Sequence, residues 1–223
     1  MKKNAYITGT SRGIGSAIKN IYLENEYSVI EHNKKILDLS KPELINDYYE
    51  SLFKNSPPDV IILNASINEN IKFENVTSEY IMESLNISLL SNMVIIQKGI
   101  KHMQNKGFGR IVLIGSIWSS KTRPLKTVYS INKASLKGIC NSLSVEYASE
   151  NILTNIVSPG FVNTEMTKKN VTSDQKIEFI KRLPIKRFAE PKEISEAVYF
   201  LGSERNTYIT GQEIFVDGGF NIA

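Results

Sequence analysis

The chain has 223 residues, enough for one large domain or two small ones and for a sizeable buried core. Apolar residues make up 41% and charged residues 22%, and the formal net charge of +4 comes from cations scattered along the chain, which excludes the concentrated basic face of a nucleic-acid binder. No apolar run approaches the ~20 residues that cross a bilayer, and the single cysteine, Cys140, rules out an internal disulfide, so the expectation is a cytoplasmic protein without membrane partners.

Residues 5–8 ("AYIT") predict a first strand, followed at once by "GTSRGIG", three glycines in seven residues. A plain strand-to-helix turn needs only one. Three let backbone approach a pyrophosphate, while the following helix offers unpaired N–H groups and the positive end of its dipole. The spacing is G-x-x-x-G-x-G, not the commoner G-x-G-x-x-G. Ile14, Ala17, Ile18, Ile21 and Tyr22 recur at helical spacing and predict that helix. "YSVIEH" at 27–32 predicts a second strand. Asp38-Leu39 then reads as the start of another, but Asn33-Lys34-Lys35 is too short for a crossover of a dozen or more residues. A trimmed sheet edge is expected there, its third strand reduced or irregular. "DVIIL" (59–63), "RIVLI" (110–114) and "ILTNIV" (152–157) are continuous apolar runs, suited to strands covered by helices on both faces. Helices are expected near 77–105, 128–149 and 191–201, with a last strand at 213–216. The alternation predicts a doubly wound, mostly parallel, Rossmann-like α/β sheet in one domain over residues 1–223.

Tyr129 and Lys133 stand at i and i+4 on one helix face. An ammonium beside a phenol favours the phenolate and pulls its pKa down from ~10, as a tyrosine general acid/base at neutral pH requires. Such a pair also arises by chance on exposed helices, so its neighbours decide. Ser116 follows the strand "RIVLI" and Asn64 follows "DVIIL", both at the carboxyl edge where open α/β sheets bind ligands. Asn86 lies among Leu85, Ile87, Leu89 and Leu90, where its amide must find partners; helix packing accounts for it as well as a site does.

In order and spacing, Thr8-Gly9-x-x-x-Gly13-x-Gly15, Asp38-Leu39, Asn64-Ala65, Asn86, Ser116, Tyr129-x-x-x-Lys133, Ser158-Pro159-Gly160 and the ending "ITGQEIFVDGGF" make the chain resemble a single-domain short-chain dehydrogenase/reductase along nearly its whole length. The resemblance implies that Tyr129 exchanges a proton with the substrate oxygen and that Lys133 binds the nicotinamide ribose and depresses the Tyr129 pKa. It implies that Ser116 orients the substrate oxygen and that Asn86 holds a water in a proton relay. It places Gly9, Ser11, Arg12, Gly13, Ile14 and Gly15 at the adenosine phosphates and Asp38 and Leu39 near the adenine. Asn64, Ala65 and Ser66 fall at the cofactor's middle, and Pro159, Gly160, Val162 and Thr164 at its nicotinamide end. No metal is implied. Members assemble through the two long helices, so a homodimer or homotetramer is expected from Ile95, Ile96, Ile100, Leu136, Ile139, Leu143 and Val145.

Charge bears on the choice of cofactor. NAD-preferring enzymes tend to put an acid at the end of the second strand. Here that region reads Glu31-His32-Asn33-Lys34-Lys35, and a 2′-phosphate would meet Arg12 and Lys34, which favours NADP(H), with NAD(H) admitted if Glu31 reaches the ribose. Three departures stand out: Leu63 and Ser66 flank Asn64-Ala65 where the family has Asn and Gly, the crossover after the second strand is missing, and the substrate lid of the family, residues 161–190, carries no legible signature. The function expected is NADP(H)-dependent hydride transfer to or from a carbonyl/alcohol substrate. A non-catalytic dinucleotide sensor on the same fold would have no need of Asn86, Ser116, Tyr129 and Lys133 together.

Overall fold

Alternate residues of the strands point to opposite faces, and in this chain both sets are apolar. The structure, a computed structural model, describes residues 2–223, so Met1, the first residue of the expected domain, lies outside the described residues. The strands are β1 (Asn4–Thr8), β2 (Ser28–His32), β3 (Val60–Leu63), β4 (Gly109–Ile114), β5 (Ile152–Pro159) and β6 (Glu213–Val216). They form one parallel sheet in the order β2-β1-β3-β4-β5-β6. Around it lie α1 (Gly13–Glu24), α2 (Pro42–Asn55), α3 (Ser78–Leu85), α4 (Ser91–Lys106), α5 (Thr127–Tyr147), α6 (Glu165–Asn170), α7 (Ser173–Arg182) and α8 (Pro191–Leu201). One face of the sheet presents Tyr6, Ile61, Leu63, Ile111 and Leu113 to α2, α4 and α5. The other presents Ala5, Ile7, Val60, Ile62, Val112 and Ile114 to α1 and α8. Among the described residues no helix is long and apolar enough to cross a membrane.

The doubly wound Rossmann-like expectation holds, and its trimmed edge is complete: Asp38 and Leu39 belong to no strand. The Asp38 carboxylate accepts from the backbone N–H (3.1 Å) and hydroxyl (2.8 Å) of Ser40, which folds the chain into a turn instead of extending it. Pro42 then opens α2, a helix the sequence reading did not contain, although Ile45, Tyr49 and Phe53 recur there every fourth residue. α2 carries the chain back across β1 to β3. The direction of winding therefore reverses between β1 and β3, the topological switch point at which such sheets bind ligands.

The single helix expected over 77–105 is two helices joined by one π-helical turn, Asn86–Leu90, in which the Ser91 N–H reaches the Asn86 carbonyl. Side chains compete with the backbone ladder there: Ser91 Oγ donates to Ile87 O and Asn92 Nδ2 to Ser88 O, both at 2.6 Å. π turns are rare and gather at functional sites. On the two long helices Ile95, Ile96 and Leu136 are core, whereas Met93, Ile131 and Val145 are exposed.

Residues 161–190, unreadable in the sequence, hold α6 and α7 over a separate small core. Phe161 stacks on Phe179 and Phe188, with ring centroids 4.4 and 5.0 Å apart, and meets Phe220 edge-on.

At the opposite end of the sheet, buried Asp59 accepts from the Asn4 N–H (2.9 Å), His102 Nε2 (3.2 Å) and Lys106. Desolvation pushes its carboxyl up, but the bonds from Lys106, Asn4 and His102 prevail and hold it below its ordinary value of 3.8. The charged form therefore stabilises the fold above that pH, and the contribution vanishes as pH falls through the lower folded-state value. Asp59→Ala is expected to cost ~1–3 kcal/mol at neutral pH, because the half-buried Asn4 N–H loses its acceptor. Denaturant titrations should show that gap closing below pH 3.8; a gap independent of pH would exclude the carboxylate as its source.

Candidate active site

The loops after β1 and β3 are braced against each other. Thr8 Oγ1 accepts from the Asn64 and Ala65 N–H groups at 2.8 and 2.9 Å, and Asn64 Nδ2 donates to the carbonyls of Thr8 and Gly9, both at 3.1 Å. Two of the three glycines serve this brace. A Cβ on Gly15 would fall on the Gly9 carbonyl oxygen and within 2.5 Å of Asn64 Nδ2, and one on Gly9 would lie 2.8 Å from the same nitrogen. Gly13, at φ +56°, has only the Thr164 side chain near it. α1 starts with no side-chain cap and no acidic residue in its first turn, so its N–H groups and positive dipole end remain available to an anion. Ser66, where the family has glycine, turns its hydroxyl towards Ser88 (3.3 Å) and the Ile67 carbonyl (3.4 Å), an accommodation by local packing.

At the carboxyl edge of the sheet this brace opens into a cavity of about 400 Å³, within the range of small-molecule sites. Ser116, Tyr129 and Lys133 line it, as does every residue assigned to the cofactor from the sequence, from Gly9 through Lys34 and Asp38 to Thr164. Ser116, just past β4, caps a short turn by accepting from the Trp118 N–H (3.2 Å). Tyr129 and Lys133 are one turn apart on α5, with Lys133 Nζ 5.5 Å from the phenol ring centroid.

Asn86 is not among the lining residues. Its side chain donates instead to the Ser40 carbonyl (3.0 Å), tying the π turn to the loop that replaces the third strand, and its own carbonyl is taken by Ser91.

The electrostatics differ from the simple phenol–ammonium expectation. Burial pushes the Tyr129 phenol up to about 12, with Ser116 working in the opposite sense, and burial pushes the Lys133 ammonium down to about 8. Desolvation is the largest influence on both groups, and the Lys133 Nζ donates to the Ile114 carbonyl (2.8 Å).

Arg12 pairs across the cleft mouth with Glu165 of α6 (2.6 Å), and Lys34 lies 3.4 Å from Asp38. Both cations are exposed and such pairs are worth at most ~1 kcal/mol, so either cation can exchange its partner at little cost. Glu31 is not a lining residue: β1–β2 pairing sets His32 opposite Thr8 at the strand end, and the Glu31 carboxylate accepts from Thr10 Oγ1 (3.0 Å) beside Lys19. The sequence reading missed Asn68, Trp118, Arg123, Lys126 and Asn170, which line the far end of the cavity. No motif marks them, although the Thr172–Gln175 capping box could have revealed α7 and thereby the lid that brings Asn170 in.

A parallel sheet with a braced glycine turn at its switch point and Ser, Tyr and Lys at its carboxyl edge defines an oxidoreductase of the dinucleotide-binding α/β class. The chain belongs to the short-chain dehydrogenase/reductase family. The family profile described as Enoyl-(Acyl carrier protein) reductase matches residues 11–221. The 3-oxoacyl-(acyl-carrier-protein) reductase FabG of Buchnera aphidicola is 32% identical over 237 residues, covering 98% of this chain and 97% of the relative. The 2-dehydro-3-deoxy-D-gluconate 5-dehydrogenase of Bacillus subtilis is 30% identical over 240 residues, covering 98% and 94%. Among solved structures, ElxO with NADP bound superposes with a TM-score of 0.90 at 27% identity, covering 100% of both chains.

Proposed function

We propose that the chain is, as one catalytic unit, an NADP(H)-dependent reductase of a carbonyl/alcohol pair with Tyr129 as general acid/base. The observation that carries this reading is that Ser116, Tyr129 and Lys133 line the same cavity as the glycine turn and the uncapped N-terminus of α1. The first turn of α1 and the loops after β3 and β5 would hold the cofactor, which supplies the hydride when bound. Ser116 donates to the substrate oxygen and fixes its position. The Tyr129 phenol, protonated at neutral pH because burial holds it near 12, is poised to deliver a proton to that oxygen as it gains charge. Lys133, anchored on the Ile114 carbonyl, keeps a positive charge beside the ring and would hold the ribose. α6 lines the cleft and would exclude water, the part a lid plays. A panel of ketones and aldehydes followed by NADPH oxidation tests the reading; no turnover of any member, with the fold intact, would refute it.

The NADP(H) preference rests on Arg12 and Lys34, which line the adenosine end where no carboxylate occupies the end of β2. Arg12→Ala and Lys34→Ala are each expected to lower kcat/KM for NADPH about tenfold, the loss of one charge-assisted phosphate contact, while NADH kinetics stay within about twofold. Equal losses with both cofactors would remove the 2′-phosphate from the explanation.

A further inference from the structure

Beyond Tyr129 the cavity ends in two cations that the proton transfer does not use. Lys126, only 2% exposed, lines the cavity at the N-terminus of α5, with Nζ 5.7 Å from the Tyr129 ring centroid. Its Nζ donates to Asn68 Oδ1 (2.5 Å) and Asn170 Oδ1 (3.4 Å), both neutral amides. Arg123 lines the same end, its guanidinium 5.9 Å from the Trp118 ring centroid. Its Nη2 donates to Asn70 Oδ1 (3.4 Å) and the Asn170 carbonyl (3.3 Å), and its Nε is buried with no partner. Among the described residues neither cation is in an ion pair. The acidic residues that do line the cavity are engaged elsewhere, Glu165 with Arg12 and Asp38 with Lys34 and Ser40.

Two cations sharing one wall, Lys126 buried and Arg123 half-buried, with only amide oxygens accepting from them, are unfavourable for the fold. Desolvation and then the charge of Arg123 bring the Lys126 ammonium down to about 8, so at neutral pH it remains mostly charged. Buried charges are kept where an opposite charge compensates them, and among the described residues no carboxylate does so here. A guanidinium fork beside a point ammonium is a donor set that matches a carboxylate. We infer that Arg123 and Lys126 bind a carboxylate carried by the substrate, so that the enzyme acts on carbonyl compounds that are also small organic acids, a specificity that rests on the reductase reading of the same cavity. The carboxylate at this end places the reducible carbonyl beside Tyr129 and Ser116. Because Asn170 belongs to α6 and bonds both cations, the lid shares in forming the anion site.

The test compares 4-oxopentanoate with its methyl ester as substrates at pH 7, in the wild-type protein and in Lys126→Met and Arg123→Gln. The wild type should prefer the acid by at least about tenfold in kcat/KM, and each variant should lose most of that preference through the KM of the acid. A wild type indifferent to the charge, or variants that lose both substrates in proportion, would overturn the assignment and leave Lys126 as a strut between Asn68 and Asn170. Calorimetric titration with pentanoate, an unreactive acid, separates this from the reductase reading. Binding to the NADP⁺-loaded protein that survives Tyr129→Phe and disappears in the Arg123→Gln/Lys126→Met double variant supports the anion site even if no carbonyl is reduced. Turnover of the ester without pentanoate binding leaves the reductase standing and the anion site rejected.

Discussion

Tyr129→Phe is expected to lower NADPH-dependent carbonyl reduction by ~10²–10⁴-fold, the range for removing a positioned general acid. Phenylalanine keeps the ring that lies 5.5 Å from Lys133 Nζ and 5.7 Å from Lys126 Nζ, so the cavity wall stays in place and only the hydroxyl is lost. Thermal midpoint and cofactor affinity should match the wild type, and single-turnover rates should fall. The direction of reaction adds a second readout. Reduction needs the protonated phenol, the form that burial favours, whereas alcohol oxidation needs the phenolate. Oxidation should accordingly speed up as pH rises from 7 to ~10, and reduction should not. A variant that reduces ketones at the wild-type rate would show that the proton comes from another group.

Gly15→Ala should be the most damaging of the small substitutions. The new methyl group falls on the Gly9 carbonyl oxygen and within 2.5 Å of Asn64 Nδ2, and these atoms are already bonded to each other, so neither can retreat without undoing the brace between β1 and β3. α1 would have to lift from the sheet, at ~1–3 kcal/mol or somewhat more, as for other overpacked sites. For a chain of this size that is roughly 2–4 °C in Tm per kcal/mol. NADPH affinity should fall as well, because the N-terminus of α1 moves with the helix. Gly138→Ala is the control: it lies within α5 with nothing within 4 Å of the added atom, and a gain of ~0.4–1 kcal/mol is expected there. Equal melting curves for the Gly15 and Gly138 variants would dismiss the close-packing account of the first.

In the sequence the glycines have the pattern of a cradle for phosphate, and the structure divides that role. Gly9 and Gly15 let protein pack on protein, which positions the uncapped end of α1. The strands could be read to within a residue or two because fully buried parallel strands are continuous apolar runs, and β3, β4 and β5 are buried throughout. α2 escaped because Asp38-Leu39 has the look of a strand start, and the Ser40 bonds that make it a turn leave no apolar pattern. The π turn at Asn86 escaped for a related reason: Ser and Asn side chains that bond back to the helix backbone do not alter the apolar period.

Local pattern was sufficient for the strands, the switch-point glycines and the Tyr129–Lys133 spacing, because each depends on residues close together in the chain, and the order of such motifs along the chain carried the kinship with the dehydrogenases. Contacts between distant segments decided the rest. Lys133 donates to Ile114, burial raises the Tyr129 phenol, Asn86 is drawn to Ser40 and out of the cavity, and Arg12 meets Glu165 across the cleft. Lys126, an unremarkable surface lysine by its neighbours in the chain, becomes a buried cation only when Asn68 and Asn170 close around it. Burial and electrostatic environment are set by what packs against a residue in space, and that information is spread over the whole chain.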